Sequence, residues 1–252
     1  MNQPLTAHTL ELRDLAIGYV VGHAVRTVAT GLCATLTSGT VTCLVGSNGV
    51  GKSTLLRTLT AFQPPLSGAV LLDGQPLHPY AKASGLPRHT LAETIGVVLT
   101  DHADLAGLTV WDVAAMGRSP YTNFWGHLTA ADRTIVDASI AAVGLTPLAT
   151  RRMDEVSDGE RQKVLIAKAL AQQTPVIVLD EPTAFLDYPS KIAVMELLTH
   201  LAHDLGKLIL LTSHDLDIAY RHADALWLLR PNTLVTHPTP ADLATLHFFP
   251  AQ

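Results

Sequence analysis

Residues 46–54 read GSNGVGKST, a spacing of glycine, lysine and hydroxyl side chains that suits the binding of phosphate groups. The run matches the pattern GxxxxGK[ST] and lies between a strand-like run, 40–46, and a helix-like run, 52–62. Glycines allow backbone N–H groups to point at phosphate oxygens, and the start of a helix adds a positive field. The strand and helix on either side disfavour the alternative, which is a flexible glycine-rich turn.

This loop predicts specific contacts to a nucleotide. We expect Lys52 to reach the β- and γ-phosphates and Ser53 to be a ligand of Mg²⁺. The predicted nucleotide-binding residues of the loop are Gly46, Ser47, Asn48, Gly49, Val50, Gly51, Lys52, Ser53 and Thr54.

Two carboxylates and a histidine follow apolar strand-like runs. VIVLDEP places Asp180 and Glu181 at the carboxyl end of a strand, where ligands bind in open α/β sheets. Asp180 suits the binding of Mg²⁺, and Glu181 suits the acceptance of a proton from an attacking water. His214 ends the run LILLTSH, so it should emerge at the same edge and contact the γ-phosphate. Each of these roles has a purely structural alternative. Asp180 and Glu181 could form only an acidic turn at the end of a strand, and His214 could be only a strand-end histidine.

Strand-like and helix-like runs alternate along the chain, which predicts an α/β fold with a central, mainly parallel sheet. The predicted strands are 40–46, 68–74, 94–100, 175–181, 207–214 and 225–230. The predicted helices are 52–62, 131–145, 160–173 and 191–205. Residues 101–155 break the alternation and are interpreted as an inserted helical subdomain, and 231–252 as a strand remnant with a loose end.

Composition narrows the class of protein. The chain has 252 residues and a formal charge of −5 without a Lys/Arg block, which argues against nucleic acid as the main partner. Its apolar runs are too short to span a bilayer, and its N-terminus lacks a signal-peptide pattern. Cys33 and Cys43 are predicted to be reduced, buried strand residues of a cytosolic protein. His200 and His203 share a helix face that we interpret as solvated rather than metal-binding.

VSDGERQ (156–162) resembles the LSGGQ-type signature of the ATP-binding-cassette (ABC) family, and it precedes the expected helix. Further motifs follow in the family's order over about residues 10–230: an A-loop candidate, Tyr19, a D-loop, AFLD (184–187), which ends at Asp187, and a switch histidine, His214. The resemblance implies a P-loop NTPase cassette with a central mainly parallel sheet, an antiparallel β subdomain and the inserted helical subdomain. It also implies one domain over 1–252, with a catalytic core at about 1–100 and 156–230, the helical subdomain at about 101–155 and a tail at about 231–252.

The resemblance further implies an ATPase with ATP and Mg²⁺ as its cofactors. In the family two copies pair head to tail, so Ser157, Asp158, Gly159 and Glu160 would face the nucleotide of the partner copy. ATP hydrolysis would drive transport through a separate membrane permease, served indirectly by a substrate-binding protein. The chain would then lie peripherally at the cytoplasmic face of the cell membrane.

Two segments are similar to those of iron-siderophore, haem and cobalamin importers: LTVWDVAAMGRSPYTNFWG (108–126) and VVLTD (97–101). The alternative for the first is an amphipathic helix followed by an aromatic loop. Three other functions remain open at this point: a soluble ABC ATPase of cluster assembly, one of repair, and a weakly hydrolysing, nucleotide-dependent regulator.

The motifs depart from the family pattern at two places. Asp158 stands where glycine is common, and Glu160 stands where glutamine is common. The Q-loop glutamine is replaced by Thr100 or the adjacent Asp101. Our hypothesis is that Asp101 partly replaces it, because a carboxylate oxygen is a ligand type that Mg²⁺ prefers. The alternative is that both residues only form a loop turn.

Overall fold

The computed structural model describes residues 7–22, 24–77, 91–99, 105, 107–123, 125–238 and 243. Its strands are β1 (Thr9–Val21), β2 (Ala24–Thr37), β3 (Thr40–Val45), β4 (Ser67–Leu72), β5 (Gln75–Pro76), β6 (Ile95–Val98), β7 (Val176–Leu179), β8 (Leu208–Thr212), β9 (Ala225–Arg230) and β10 (Thr233–Val235). Its α-helices are α1 (Lys52–Leu59), α2 (Val110–Ala115), α3 (Ala130–Ala142), α4 (Asp158–Ala171), α5 (Tyr188–His203) and α6 (Leu216–His222), with 3₁₀ turns at Met116–Tyr121 and Thr146–Leu148.

A six-stranded sheet forms the centre, in the order β10-β9-β3-β8-β7-β6. The strands from β9 to β6 pair in parallel, and β10 pairs with β9 in antiparallel fashion at one edge. The predicted α/β fold with a central, mainly parallel sheet is therefore confirmed. Predicted helix and strand ends shift by a few residues, as at 175–181, where the strand stops at Leu179 and leaves both carboxylates beyond it.

Both faces of the central sheet are covered, which explains its continuously apolar strands. On β7, Ile177 and Leu179 join a buried cluster with α4, α5 and the helices before them. The alternate residues, Val176 and Val178, join a second cluster with α1 and the N-terminal strands. The apolar strand runs in the sequence therefore reflect burial on two sides.

A second sheet is antiparallel, in the order β2-β1-β4-β5. The run 68–74 belongs to this sheet, as β4, and pairs with β1. The strand-like runs identified in the sequence begin at residue 40. The strands β1 and β2 lie before that residue and were not among the predicted strand runs. Their pairing contains register shifts between Leu12 and Gly18, and such bulges interrupt the alternation of apolar and polar residues.

The helical segment before α4 is tied to that helix by Arg118. The Arg118 guanidinium is buried, and its Nε donates to Asp132 Oδ1 on α3 at 2.9 Å. Its Nη1 donates to the carbonyl of Ala171, the last residue of α4, at 2.8 Å. Hydrogen bonds from Thr129, together with the Arg118 guanidinium, lower the pKa of Asp132 to about 2. The Asp132 carboxylate therefore stays charged near neutral pH, and its pairing with Arg118 holds the end of α4 against its neighbours.

Gly117 allows the closest approach between this segment and α4. A Cβ added at Gly117 would lie 2.1 Å from the Lys168 carbonyl oxygen and 3.0 Å from the Ala171 Cβ. A helix carbonyl cannot move without breaking its own hydrogen bonds. The identity of residue 117 therefore sets how closely the 3₁₀ turn packs on α4.

Gly117→Ala should destabilise the protein by about 3 kcal/mol, because overpacking forces the backbone to shift. For a chain of this size the melting temperature should fall by roughly 6–12 °C. Gly126→Ala is the matched control, since no heavy atom lies within 4 Å of its added Cβ and only its φ of +69° is unfavourable. An equal fall in the two variants, measured by calorimetry, would contradict the close packing.

The environments of the cysteines and of two histidines can be compared with the sequence predictions. Cys43 is buried in β3 as predicted, whereas Cys33 on β2 is exposed, so its predicted burial was wrong. The error arises because β2 has one face open to solvent along much of its length.

His200 and His203 lie on the solvent side of α5 and pair with Asp204 and Asp224, respectively. Within the described ranges, no helix is both long and apolar enough to cross a membrane.

Candidate nucleotide-binding and hydrolytic site

The loop between β3 and α1 has a backbone that only glycine suits at two points. Gly49 has φ +77° and Gly51 has φ +114°, both in the region that side chains disfavour. A Cβ at Gly51 would also lie 2.3 Å from Val28 Cγ1. The loop therefore keeps its backbone uncovered and close to the N-terminus of α1, which favours anion binding.

Lys52, the first residue of α1, is bent back over this loop. Its side chain is largely buried, and Nζ donates to the carbonyl oxygens of Gly46 and Ser47 at 2.8 and 3.2 Å. Burial lowers the pKa of Lys52, and the nearby carboxylates of Glu181 and Asp180 oppose that shift. The ammonium group therefore lies in the electrostatic field of Asp180 and Glu181, the two carboxylates that were predicted to act at this site.

An open cleft of about 570 Å³ lies over the loop, within the size range of ligand pockets. Glu181 and His214 were predicted to emerge at the same sheet edge. Both line this cleft, together with Lys52 and Ser53. Its lining residues are Tyr19, Arg26, Thr27, Val28, Asn48, Gly49, Val50, Gly51, Lys52, Ser53, Thr54, Glu181, His214 and Pro231.

Tyr19 lies at the rim of this cleft and is 38% exposed, an environment that suits stacking against a base. The Arg26 guanidinium carbon lies 5.8 Å from the centre of its ring, and the two residues are paired between β1 and β2. Arg26, Val28 and Pro231 were not predicted from the sequence. Only strand pairing and sheet closure bring them to the cleft, so no local pattern could have identified them.

Asp180 and Glu181 follow β7 directly and are joined to β8. Thr212 Oγ1 donates to Asp180 Oδ1 at 2.7 Å and accepts from the Glu181 backbone N–H at 2.8 Å. His214 Nε2 forms an ion pair or hydrogen bond with Glu181 Oε1, depending on the protonation of the imidazole. Glu181 has φ +50°, an uncommon backbone conformation for a non-glycine residue and one often found at functional sites.

The oxygen donors at this edge fit Mg²⁺. Ser53 and Asp180 line a common pocket next to the main cleft, and hydroxyl and carboxylate oxygens are the ligand types that this cation binds. In the described ranges no group of three or more His, Cys, Asp or Glu side chains could hold a metal ion. A donor set of this kind suits Mg²⁺ held partly by phosphate oxygens, as is usual in nucleotide sites.

The residues of VSDGERQ start helix α4 and do not line this cleft. Ser157 is the N-cap: its hydroxyl accepts from the Glu160 backbone N–H at 3.3 Å and donates to Glu160 Oε2 at 2.9 Å. Hydrogen bonds from Ser157 lower the pKa of Glu160. Glu160 therefore completes a capping box, which gives this departure from glutamine a structural role.

Gly159 and Asp158 place this helix start beside the D-loop. A Cβ at Gly159 would lie 2.8 Å from Ser190 Oγ, so the helix start packs closely on α5. Asp158 lines a small pocket that also includes Glu181 and Ala184. Asp187 caps α5 by accepting from the Ser190 backbone N–H at 3.1 Å.

The predicted Q-loop residues Thr100 and Asp101 lie outside the described residues.

A sequence model described as ABC transporter matches residues 30–184 of the chain, which is more than half of its length. The chain belongs to the ABC transporter family. It is accordingly a nucleotide-binding ATPase subunit, and the predicted ATP hydrolysis is confirmed at the level of the family.

Curated relatives of this ABC ATPase align over most of their length. The achromobactin transport ATP-binding protein of Dickeya dadantii is 36% identical over 231 residues, 92% of this chain and 82% of the relative. The ferric enterobactin transport ATP-binding protein of Escherichia coli is 35% identical over 225 residues, 89% of this chain and 81% of the relative. The iron(3+)-hydroxamate import ATP-binding protein of Bacillus subtilis is 32% identical over 238 residues, 94% and 85% of the two chains.

Solved structures also match this ABC ATPase. A metal-chelate type ABC transporter in an inward-facing conformation superimposes with a TM-score of 0.80 at 26% identity, covering 96% of this chain and 90% of that one. An ABC cassette in its ADP conformation superimposes with a TM-score of 0.79 at 20% identity, covering 94% of both chains, and it supports the fold alone. The P-loop NTPase cassette fold predicted from the resemblance is thereby confirmed.

Proposed function

We propose that this ABC ATPase energises the import of an iron chelate, haem or cobalamin through a separate membrane permease. The names of its relatives support this substrate class: achromobactin, ferric enterobactin and iron(3+)-hydroxamate for the matches described above, and cobalamin for a relative from Halobacterium salinarum. The similarity of segment 108–126 to the same importers agrees with it. A substrate-binding protein would deliver the ligand to the permease, and the ATPase would lie at the cytoplasmic face of the membrane.

The geometry supports a hydrolytic role most directly through the residues that line the main cleft and the pocket next to it. Lys52 and the loop N–H groups suit the binding of the β- and γ-phosphates. Ser53 and Asp180 would hold Mg²⁺, which would offset phosphate charge when bound. Glu181 would accept a proton from the attacking water, and His214, paired with Glu181, would orient that carboxylate and face the γ-phosphate.

The domain boundaries predicted from the sequence would divide these roles between two parts of the chain. A catalytic core over about 1–100 and 156–230 would carry the cleft, and a helical subdomain over about 101–155 would position the signature through its contacts with α4. Thr100 and Asp101 would then join the two parts, with Asp101 taking over part of the role of the missing glutamine.

We further propose that two copies pair head to tail, so that the signature of one copy completes the cleft of the other. Ser157 does not line the cleft of its own chain, and this observation supports the arrangement. At the N-terminus of α4, Ser157 and Gly159 would offer a hydroxyl, backbone N–H groups and the positive end of the helix dipole to a γ-phosphate. Ser157 would have to turn its hydroxyl away from Glu160 to do so.

A mixed dimer should reveal this arrangement. With Ser157→Arg in one copy and Lys52→Ala in the other, head-to-tail pairing puts both lesions in one site and leaves the second intact. Such a dimer, isolated with two different affinity tags, should keep about half of the wild-type ATPase rate if the sites act independently. The rate should lie well above that of either mutant homodimer.

The matched control carries both substitutions in one copy, paired with a wild-type copy. The same pairing rule then damages both sites, so this dimer should have little activity although its composition is identical. Equal rates for the two mixed dimers would contradict a signature that acts on the partner copy.

Uptake measurements in cells test the proposed transport role. A strain lacking the gene should lose uptake of a radioactive iron–siderophore complex or of cobalamin, and the wild-type gene should restore it whereas a Glu181→Gln gene should not. If uptake is unchanged while enzymes with iron–sulfur clusters lose activity, the chain acts instead as a soluble ABC ATPase of cluster assembly.

A further inference from the structure

Thr212, the last residue of β8, has a fully buried side chain next to both predicted acidic residues. The strands β7 and β8 pair in parallel, with Leu179 opposite Leu211, so Asp180 and Thr212 follow at the same level. Thr212 Oγ1 lies 2.7 Å from Asp180 Oδ1 and 2.8 Å from the Glu181 backbone nitrogen.

The direction of these two hydrogen bonds is determined. A hydroxyl has one proton to donate, and the Glu181 N–H can only donate. Thr212 Oγ1 must therefore accept from Glu181, and its own proton must point at the Asp180 carboxylate. One buried hydroxyl thus holds a carboxylate oxygen and the neighbouring backbone at the same time.

The same strand end also controls the Glu181 side chain. Glu181 adopts φ +50°, and the hydrogen bond from its N–H to Thr212 is one of the contacts that hold this backbone. Two residues after Thr212, His214 contacts the Glu181 carboxylate. The end of β8 and the residues after it therefore contact Glu181 twice. Thr212 binds its backbone N–H, and His214 contacts its carboxylate.

We propose that Thr212 is a positioning residue for hydrolysis, which orients the Asp180 carboxylate for Mg²⁺ and fixes Glu181 relative to it. The proposal rests on the roles proposed above for Asp180 and Glu181. Thr212 itself lines neither the main cleft nor the pocket next to it. Its effect should therefore concern metal affinity and turnover, and leave the affinity for nucleotide without metal unchanged.

Three variants isolate the hydroxyl. Thr212→Val removes it and keeps the branched shape, whereas Thr212→Ser keeps it and removes the methyl group. Thr42→Val is the matched control, because Thr42 is a buried threonine of the adjacent strand β3, opposite Leu210, and does not line the cleft. If Thr212→Val does not fold, Thr212→Ala removes the same hydroxyl with less bulk.

Binding of Mn²⁺, used in place of Mg²⁺, gives a readout that does not require hydrolysis. With a non-hydrolysable ATP analogue, electron paramagnetic resonance of free Mn²⁺ should show about tenfold weaker metal binding in Thr212→Val, as expected for one lost charge-assisted hydrogen bond. The Kd of a fluorescent ATP analogue measured in EDTA should be unchanged. In steady state kcat should fall about tenfold with little change in KM for ATP, and Thr212→Ser should stay within about threefold of the wild type.

Specific outcomes would overturn the proposal. It is wrong if Thr212→Val behaves like Thr42→Val, or if its affinity for nucleotide in EDTA falls as much as its metal affinity, because that would indicate a general distortion of the cleft. Asp180→Asn and Glu181→Gln separate this failure from a failure of the proposed site. If they leave Mn²⁺ binding and turnover, respectively, unchanged, the roles of Asp180 and Glu181 are wrong, whatever Thr212 does.

Discussion

Glu181→Gln should lower steady-state ATP hydrolysis by about 10²–10⁴-fold, the usual contribution of a general base. The amide keeps the size of the side chain and can still contact His214, but it cannot accept a proton from water. ATP binding should remain close to that of the wild type, because Lys52 and the loop N–H groups are untouched. Phosphate release and the Kd of ATP, measured on the same preparation, test both parts.

The same variant should accumulate as a dimer when ATP is present. Bound nucleotide stabilises the state that binds it, and without hydrolysis that state does not decay. Mass measurement by light scattering should therefore show an ATP-dependent dimer. Glu196→Gln, a change at an exposed position of α5, is the matched control and should hydrolyse ATP normally. Unchanged turnover in Glu181→Gln would assign the proton acceptor to another residue.

Lys52→Met should weaken ATP binding by about 100-fold, since charge-assisted hydrogen bonds to phosphate oxygens contribute about 3 kcal/mol. Methionine keeps the apolar length of the side chain and loses the ammonium group that now donates to Gly46 and Ser47. Hydrolysis at saturating ATP should also fall sharply, because Lys52 would contact the γ-phosphate that is transferred. Equilibrium binding of a fluorescent ATP analogue measures the first effect.

Lys207→Met separates this effect from the loss of any buried lysine. Lys207 is also desolvated, with a lowered pKa that burial explains, and its Nζ donates to the Thr174 carbonyl at 2.7 Å. Neither Lys207 nor Thr174 lines the nucleotide cleft, whereas Lys52 does. Lys207→Met should therefore lower the melting temperature and leave the Kd of ATP within about twofold. An equal loss of ATP affinity in both variants would mean that Lys52 acts only through stability.

Local chemistry and local periodicity let the sequence alone determine the fold class and the first half of the site. The phosphate loop needs glycine, lysine and a hydroxyl residue within nine positions, 46–54, between a strand and a helix, so its signal is continuous in the chain. Asp180 and Glu181 are recognisable for the same reason, because they follow an apolar strand of a sheet that is buried on both faces. The order of these motifs was sufficient to indicate the ABC family.

Tertiary structure alone decided which other groups meet at the site. Pairing of β1 with β2 brings Arg26 beside Tyr19, and pairing of β7 with β8 brings the hydroxyl of Thr212 to two residues about thirty positions earlier in the chain. Likewise, the bulges in β1 removed the alternation that would have revealed the antiparallel sheet, and they left the exposure of Cys33 unpredictable. Contacts of this kind depend on strand register, and register is set by packing across the whole sheet rather than by any local run of residues.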